Sequence, residues 1–153
     1  PMVEEIFTDL ASLAEKRSIT LEAEGDAALT GSDALIYRML FNLTENAVKY
    51  NRPGGSVRVE LAQRPEKCII RVSDTGCGIP EEYQQSIFHP FFRVDKSRSR
   101  EYGGAGLGLS LVWEIADLHG GSVWVEESSD EGTTIAVELP AGAENDSSGV
   151  DIP

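Results

Sequence analysis

The sequence predicts an α+β fold, a two-layer α/β sandwich with a mixed sheet. Apolar residues recur at helical spacing in three separate stretches. Other stretches alternate with period two and come in pairs joined by turn residues, as hairpins do. Helices and strands occur in mixed order, which calls for one layer of each. At 153 residues, with 41% apolar and 25% charged, the chain suffices for one domain with a sizeable core and is too short for two. There is no internal repeat.

Val3, Ile6, Leu10, Leu13 and Ala14 mark a first helix from about residue 2 to 16, and Ile19, Leu21 and Ala23 alternate in a short strand after it. Gly31-Ser32-Asp33 offers an N-cap. The helix that follows, to about Tyr50, carries Ile36, Leu40, Leu43 and Ala47 on one buried face. A second, polar stripe of Asn42, Asn46 and Lys49, with Glu45 beside it, borders that face instead of opposing it.

Asn51-Arg52-Pro53-Gly54-Gly55 is a turn cluster. Val57, Val59 and Leu61 alternate after it, and a second turn near Arg64-Pro65-Glu66 leads to the run from Cys68 to Val72, so these two strands form a hairpin. Asp74-Thr75-Gly76-Cys77-Gly78-Ile79-Pro80 breaks the pattern, and Pro80 with Glu81 and Glu82 reads as a helical first turn. Phe88, Phe91 and Phe92 form an aromatic knot. Leu107, Leu111, Ile115 and Leu118 describe a last helix, ended by Gly120-Gly121, and strands follow at Ser122 to Glu127 and Thr133 to Leu139. The small polar tail, residues 141–153, is expected to be disordered.

Composition excludes several functions. No apolar run approaches the ~20 residues of a membrane span, and no signal segment opens the sequence. Cys68 and Cys77 lack metal-ligand spacing and read as thiols in a reducing compartment, with the cytosol the best fit. A chain that begins at Pro1 without an initiator Met reads as a piece of something longer. Net charge −13 disfavours nucleic acid, yet Arg93, Lys96, Arg98 and Arg100 crowd four of the thirteen basic residues into one stretch. That stretch closes on Gly103-Gly104-Ala105-Gly106-Leu107-Gly108 at a helix start, where free backbone N–H groups suit phosphate.

A nucleotide site here needs neither of the common glycine fingerprints. GxxxxGK[ST] is absent, and Gly76-Cys77-Gly78 lacks the third glycine of a dinucleotide loop. Asp74-x-Gly76-x-Gly78 suits a carboxylate that accepts from an exocyclic amine while the backbone passes close to a ring. The simpler reading of those residues is an Asx-turn. On the polar stripe, one Asn carbonyl plus phosphate oxygens would satisfy Mg²⁺, with Lys49 as a phosphate cation; a solvated helix face is the plainer alternative.

Together, Asn42-Leu43-x-x-Asn46-Ala47-x-Lys49-Tyr50, Asp74-x-Gly76-x-Gly78-Ile79-Pro80, Phe88-x-x-Phe91-Phe92-Arg93 and Gly104-x-Gly106-Leu107-Gly108-Leu109 resemble four boxes of a known family. They are the N, first-glycine, F and second-glycine boxes of the catalytic ATP-binding domain of bacterial sensor histidine kinases. Gly132-Thr133 resembles the family's last glycine-threonine segment, and the resemblance covers residues 1–140.

The resemblance implies the Bergerat ATP-binding fold, with residues 93–103 as a flexible ATP lid. It implies that Asp74 accepts from the adenine amino group, that Gly76 and Gly78 admit the base beside Ile79, and that Thr133 sits at the adenine edge. Asn46 should ligate Mg²⁺ with Asn42 alongside, while Lys49 and Tyr50 face phosphates or sugar. Arg93, Gly104, Gly106, Leu107 and Gly108 should meet the phosphates. The implied activity is transfer of the ATP γ-phosphoryl group to a histidine on a separate dimerisation domain, with a response regulator downstream and the full-length protein anchored in the bacterial inner membrane.

His89 and His119, the two histidines of the chain, are not expected to be that acceptor. The fragment alone should be a monomer without membrane contact. An autonomous ATPase of the same fold would use a Glu one turn before the metal-binding Asn. Asn42 stands there and cannot act as a general base. Glu45 keeps open a role in orienting water or the incoming histidine. A silent nucleotide-binding regulatory module is the remaining alternative.

Overall fold

The computed structural model describes residues 2–25, 33–84, 86–88 and 107–140. In chain order these form α1 (Met2–Lys16), β1 (Thr20–Gly25), α2 (Asp33–Lys49), β2 (Ser56–Gln63), β3 (Lys67–Asp74), α3 (Leu107–Leu118), β4 (Ser122–Ser129) and β5 (Gly132–Pro140). Single 3₁₀ turns lie at Glu81–Tyr83 and Ser86–Phe88. Among the described residues no helix is long and apolar enough to cross a membrane.

The five strands form one mixed sheet in the order β1-β2-β3-β5-β4. β1 runs parallel to β2, with α2 as the crossover between them, and the other pairs are antiparallel. Register places Val59 opposite Val72, and Val72 opposite Ile135, so one apolar face runs across the centre of the sheet. All three helices pack on that face. Met39, Leu43, Val48, Ile70 and Val137 are buried where the layers meet. The predicted α+β sandwich is therefore the observed one.

Three expectations change in detail. β1 is an edge strand on which Leu21 is half-buried and Ala23 exposed, so the alternation read from Ile19 to Ala23 marks little burial. The residues after Pro80 make a 3₁₀ turn, with Pro80 at the N-cap and not inside a helix. On α3 the buried face is Leu109, Val112, Ile115 and Ala116, and Leu118 is 73% exposed. The helix is rotated from the predicted stripe because it packs against α2 as well as the sheet, and the small Ala116 admits that close approach.

α2 is held at its C-terminal end from outside. Arg17 donates from Nε to the Val48 carbonyl (3.1 Å) and from Nη2 to the Asn51 carbonyl (3.0 Å), satisfying acceptors the helix leaves open where cations are favoured. The Asn51 side chain is itself buried. Its Oδ1 accepts from Arg52 N (2.8 Å) and Thr75 Oγ1 (2.9 Å), and its Nδ2 donates to Ser56 O (2.8 Å). This ties the end of α2 to the segment that follows β3.

Candidate functional site

A pocket opens between α2, the first turn of α3 and the β3 and β5 ends of the sheet. Its empty space, open mouth included, is about 670 Å³. Leu43, Ala47, Val72, Ile79 and Ile135 supply apolar walls; Asn46, Tyr50, Asp74 and Thr133 supply polar groups. Such slots suit a flat, heteroaromatic ligand with a few directed hydrogen bonds.

Asp74 stands where β3 ends. Its Oδ1 accepts from the backbone N–H of Gly76 (2.9 Å), closing an Asx-turn, and from that of Thr133 on β5 (3.2 Å). Oδ2 makes no hydrogen bond among the described residues, and Asp74 lines the pocket. Burial raises the carboxyl pKa from 3.8 to about 6, and the two N–H donors offset part of that rise. Tyr50 is also raised, first by burial and then by the nearby negative charge of Glu45, so its phenol remains a donor.

The glycines let the segments close around this carboxylate. A Cβ on Gly76 would lie 2.5 Å from the Tyr50 carbonyl oxygen. Gly78, at φ +85°, sits against the Ser129 carbonyl, where a Cβ would approach to 2.0 Å. The Asx-turn reading of Asp74-x-Gly76-x-Gly78 is thus the observed one, and the neighbouring protein backbone requires glycine at both positions.

Of the residues singled out by sequence, Asn46, Tyr50, Asp74, Gly78, Ile79 and Thr133 line one pocket. Gly76 supports it from behind. Asn42 and Glu45, half-buried, and Lys49, exposed, share α2 with the site but are not lining residues. Leu107 and Gly108 open α3, whose Leu109 reaches the pocket. Arg93, Gly104 and Gly106 lie outside the described residues, as do His89, Phe91 and Phe92. The His119 ring Nδ1 lies 2.8 Å from the Ile115 carbonyl on its own helix, as a structural role predicts.

Asn46 bears directly on a metal. Its Nδ2 is buried without a hydrogen-bond partner, an arrangement that is costly unless a ligand completes it. A half-turn of the amide exchanges Nδ2 for Oδ1, so the same position can meet a phosphate oxygen or a hard cation. Among the described residues no three His, Cys, Asp or Glu side chains gather as a metal cage. A single Asn ligand fits Mg²⁺ held mainly by phosphates and water.

Sequence reasoning missed Ser128, Asn51, Thr75 and Cys77 at this site. Cys77 carried a visible signal, lying between the two glycines. The others act through neighbours brought close only by folding.

Comparison with known proteins follows the same lines. The model of the histidine kinase-, DNA gyrase B- and HSP90-like ATPase family matches residues 31–143. The sensor histidine kinase RppB of Synechocystis is 35% identical over 142 residues, covering 91% of this chain and 31% of that protein. Among solved structures, the catalytic domain of histidine kinase ThkA superposes with a TM-score of 0.79 at 28% identity, covering 92% of each chain; ThkA has also been solved in complex with the response regulator TrrA. The mycobacterial sensor histidine kinase MprB gives a TM-score of 0.76 at 31% identity, covering 92% of this chain and 95% of that one. The chain spans about a third of the length of RppB. It belongs to the histidine kinase-, DNA gyrase B- and HSP90-like ATPase family, as a catalytic domain of the bacterial sensor histidine kinase type.

Proposed function

We propose that the chain binds Mg-ATP and donates its γ-phosphoryl group to a histidine on a separate dimerisation domain of the same longer protein, in two-component signalling. The observation that carries the reading is the half-used carboxylate of Asp74: Oδ1 is taken by two backbone N–H groups and Oδ2 is left to an apolar slot. That is an acceptor for an exocyclic amine between hydrophobic walls, which adenine supplies at C6, where guanine carries a carbonyl.

In this reading Asp74 orients the base, Thr133 meets its edge, and Tyr50 faces the sugar. Lys49 and Arg93, with Gly104, Gly106, Leu107 and Gly108 at the α3 start, take the phosphates. Asn46 would hold Mg²⁺, with Asn42 alongside, and a bound ion would supply neutralisation of the phosphate charge. Glu45 orients the incoming nucleophile. Among the described residues the pocket lining contains no histidine. The acceptor histidine comes from the dimerisation domain, and a response regulator receives the phosphoryl group next, as the ThkA–TrrA complex supports. The domain acts in the cytoplasm, and the longer protein is membrane-anchored.

The test is incubation with Mg-ATP labelled at the γ-phosphate and the histidine-bearing domain of the longer protein. Acid-labile label on that histidine, lost with Asn46→Ala, is the expected result. Release of free phosphate at the same rate with or without the acceptor would replace the proposal with an autonomous ATPase.

A further inference from the structure

We infer that Ser128 is a positioning residue: it sets the hydrogen-bond direction of the Thr133 hydroxyl and so contributes to the purine preference of the pocket. The inference rests on the adenine-binding role proposed above.

Ser128 reaches this position through an irregularity in β4. Along β4 and β5, Val125 pairs with Ile135, but the next pair is Glu127 with Thr134, so Glu126 is an extra residue. The bulge changes the phase of the strand by one. Without it, Glu127 and Ser129 would continue the inward face of Val123 and Val125. With it, Glu127 joins Glu126 on the outer face, where Arg71 holds Glu126 through two hydrogen bonds of 2.7 and 3.1 Å. Ser128 then stands opposite Thr133.

There the Ser128 hydroxyl joins three segments. Oγ accepts the Ile79 N–H at 2.8 Å, gripping the glycine segment, and lies 2.9 Å from Thr133 Oγ1. Thr133 in turn donates its backbone N–H to Asp74. Two arrangements of the hydroxyl protons exist. If Thr133 donated to Ser128, the Ser128 proton would be left with the Ile79 carbonyl at 3.5 Å, at the outer limit of a hydrogen bond. If Ser128 donates to Thr133, it makes the 2.9 Å bond and leaves the Thr133 proton for the pocket.

The second arrangement gives the site an acceptor at Asp74 Oδ2 beside a donor at Thr133 Oγ1. Adenine presents the complement, an N6 amine next to the N1 acceptor. Guanine presents an O6 acceptor next to an N1–H donor and is mismatched at both positions. Asp74 reads one atom of the base and Thr133 the other, and Ser128 determines which way Thr133 reads.

The test is calorimetric titration of the chain and its variants with non-hydrolysable ATP and GTP analogues, with melting curves for each variant. Ser128→Ala should narrow the ATP-over-GTP preference by about threefold to tenfold, while Ser128→Thr, which keeps the hydroxyl, preserves it. Thr133→Val should narrow it too, and Ser128→Ala added to Thr133→Val should change it no further, because both act through one group. Equal weakening of both nucleotides by Ser128→Ala would reduce Ser128 to a structural clamp and overturn the inference. A wild-type chain that binds neither nucleotide, or both equally, would overturn the adenine reading itself, and the inference with it.

Discussion

Thr133 donates its backbone N–H to Asp74 Oδ1 at 3.2 Å, across 59 positions of sequence. One carboxylate oxygen thereby receives the segment after β3 through Gly76 and the start of β5 through Thr133. The arrangement favours binding over stability, because an ionised carboxyl this buried is not fully compensated.

Asp74 should therefore show opposite effects in stability and affinity. Its pKa is raised by burial from 3.8 to about 6, so the fold prefers the protonated form. Its stabilising contribution is complete below pH 3.8 and is lost as pH rises through about 6, a change of roughly 3 kcal/mol at most. Asp74→Asn keeps the acceptor for both N–H groups and cannot ionise. Denaturant titrations should show the variant at least as stable as wild type above about pH 7, with the advantage vanishing below about pH 4. ATP affinity should fall in the same variant. The wild-type advantage in affinity should grow as pH rises from about 5 to 7, since the amine needs the ionised carboxylate. Phosphate titration cancels in that ratio, and a ratio constant over the range would contradict the assignment.

Asn46→Ala removes an amide whose Nδ2 is buried without a partner. In the apo protein the change should be nearly neutral or mildly stabilising, within about 1 kcal/mol, because an unsatisfied group is lost. Nucleotide affinity should drop, and drop further with Mg²⁺ present than with a chelator. An equal loss in both conditions would remove Asn46 from the metal shell.

Gly132 has φ +143°, and a Cβ there would lie 1.9 Å from the Asp74 carbonyl oxygen. Gly132→Ala must push β5 away from β3 at the site, at a cost of about 1–3 kcal/mol. Gly54 provides the control: φ is +85° with nothing within 4 Å, so Gly54→Ala should cost only about 1 kcal/mol of backbone strain. Thermal unfolding of the two variants, beside nucleotide titrations, separates the effects. Similar losses in both would show that the close approach at Gly132 is unimportant.

Arg17, in the turn just after α1, caps α2 through the carbonyls of Val48 and Asn51. Arg17→Met keeps the aliphatic stem and removes both donors. Chemical denaturation should show a loss of about 1–3 kcal/mol, since two acceptors at a helix end lose a charged partner. A loss within error would mean that water replaces the guanidinium without penalty.

The fold was legible because its period-two and period-3.6 stretches are long and well separated. α1 was read at its observed limits, and Ile36, Leu40, Leu43 and Ala47 are all buried as predicted. The α3 face was misread because Leu107, Leu111, Ile115 and Leu118 satisfy helical spacing as well as the true stripe does. Only packing on α2 selects between the two. Asn46, Asp74 and Gly78 were legible because each lies in a motif whose chemistry is local, whereas Thr133 was reached only through the family resemblance. Ser128 was not, since its position depends on one extra residue in β4, and Glu126 carries no mark that a bulge occurs there. Asn51 looked like an ordinary turn residue, and its buried contact with Thr75 spans 24 positions.

The central claim is that Asp74 Oδ2 reads an exocyclic amine, and the most direct test is the affinity of this chain for matched ATP and GTP analogues in the presence of Mg²⁺. Wild type should prefer the adenine nucleotide by about 10–150-fold, the range for a hydrogen bond to a charged group, and Asp74→Asn should lose most of that preference. Equal affinity of wild type for the two nucleotides would contradict it.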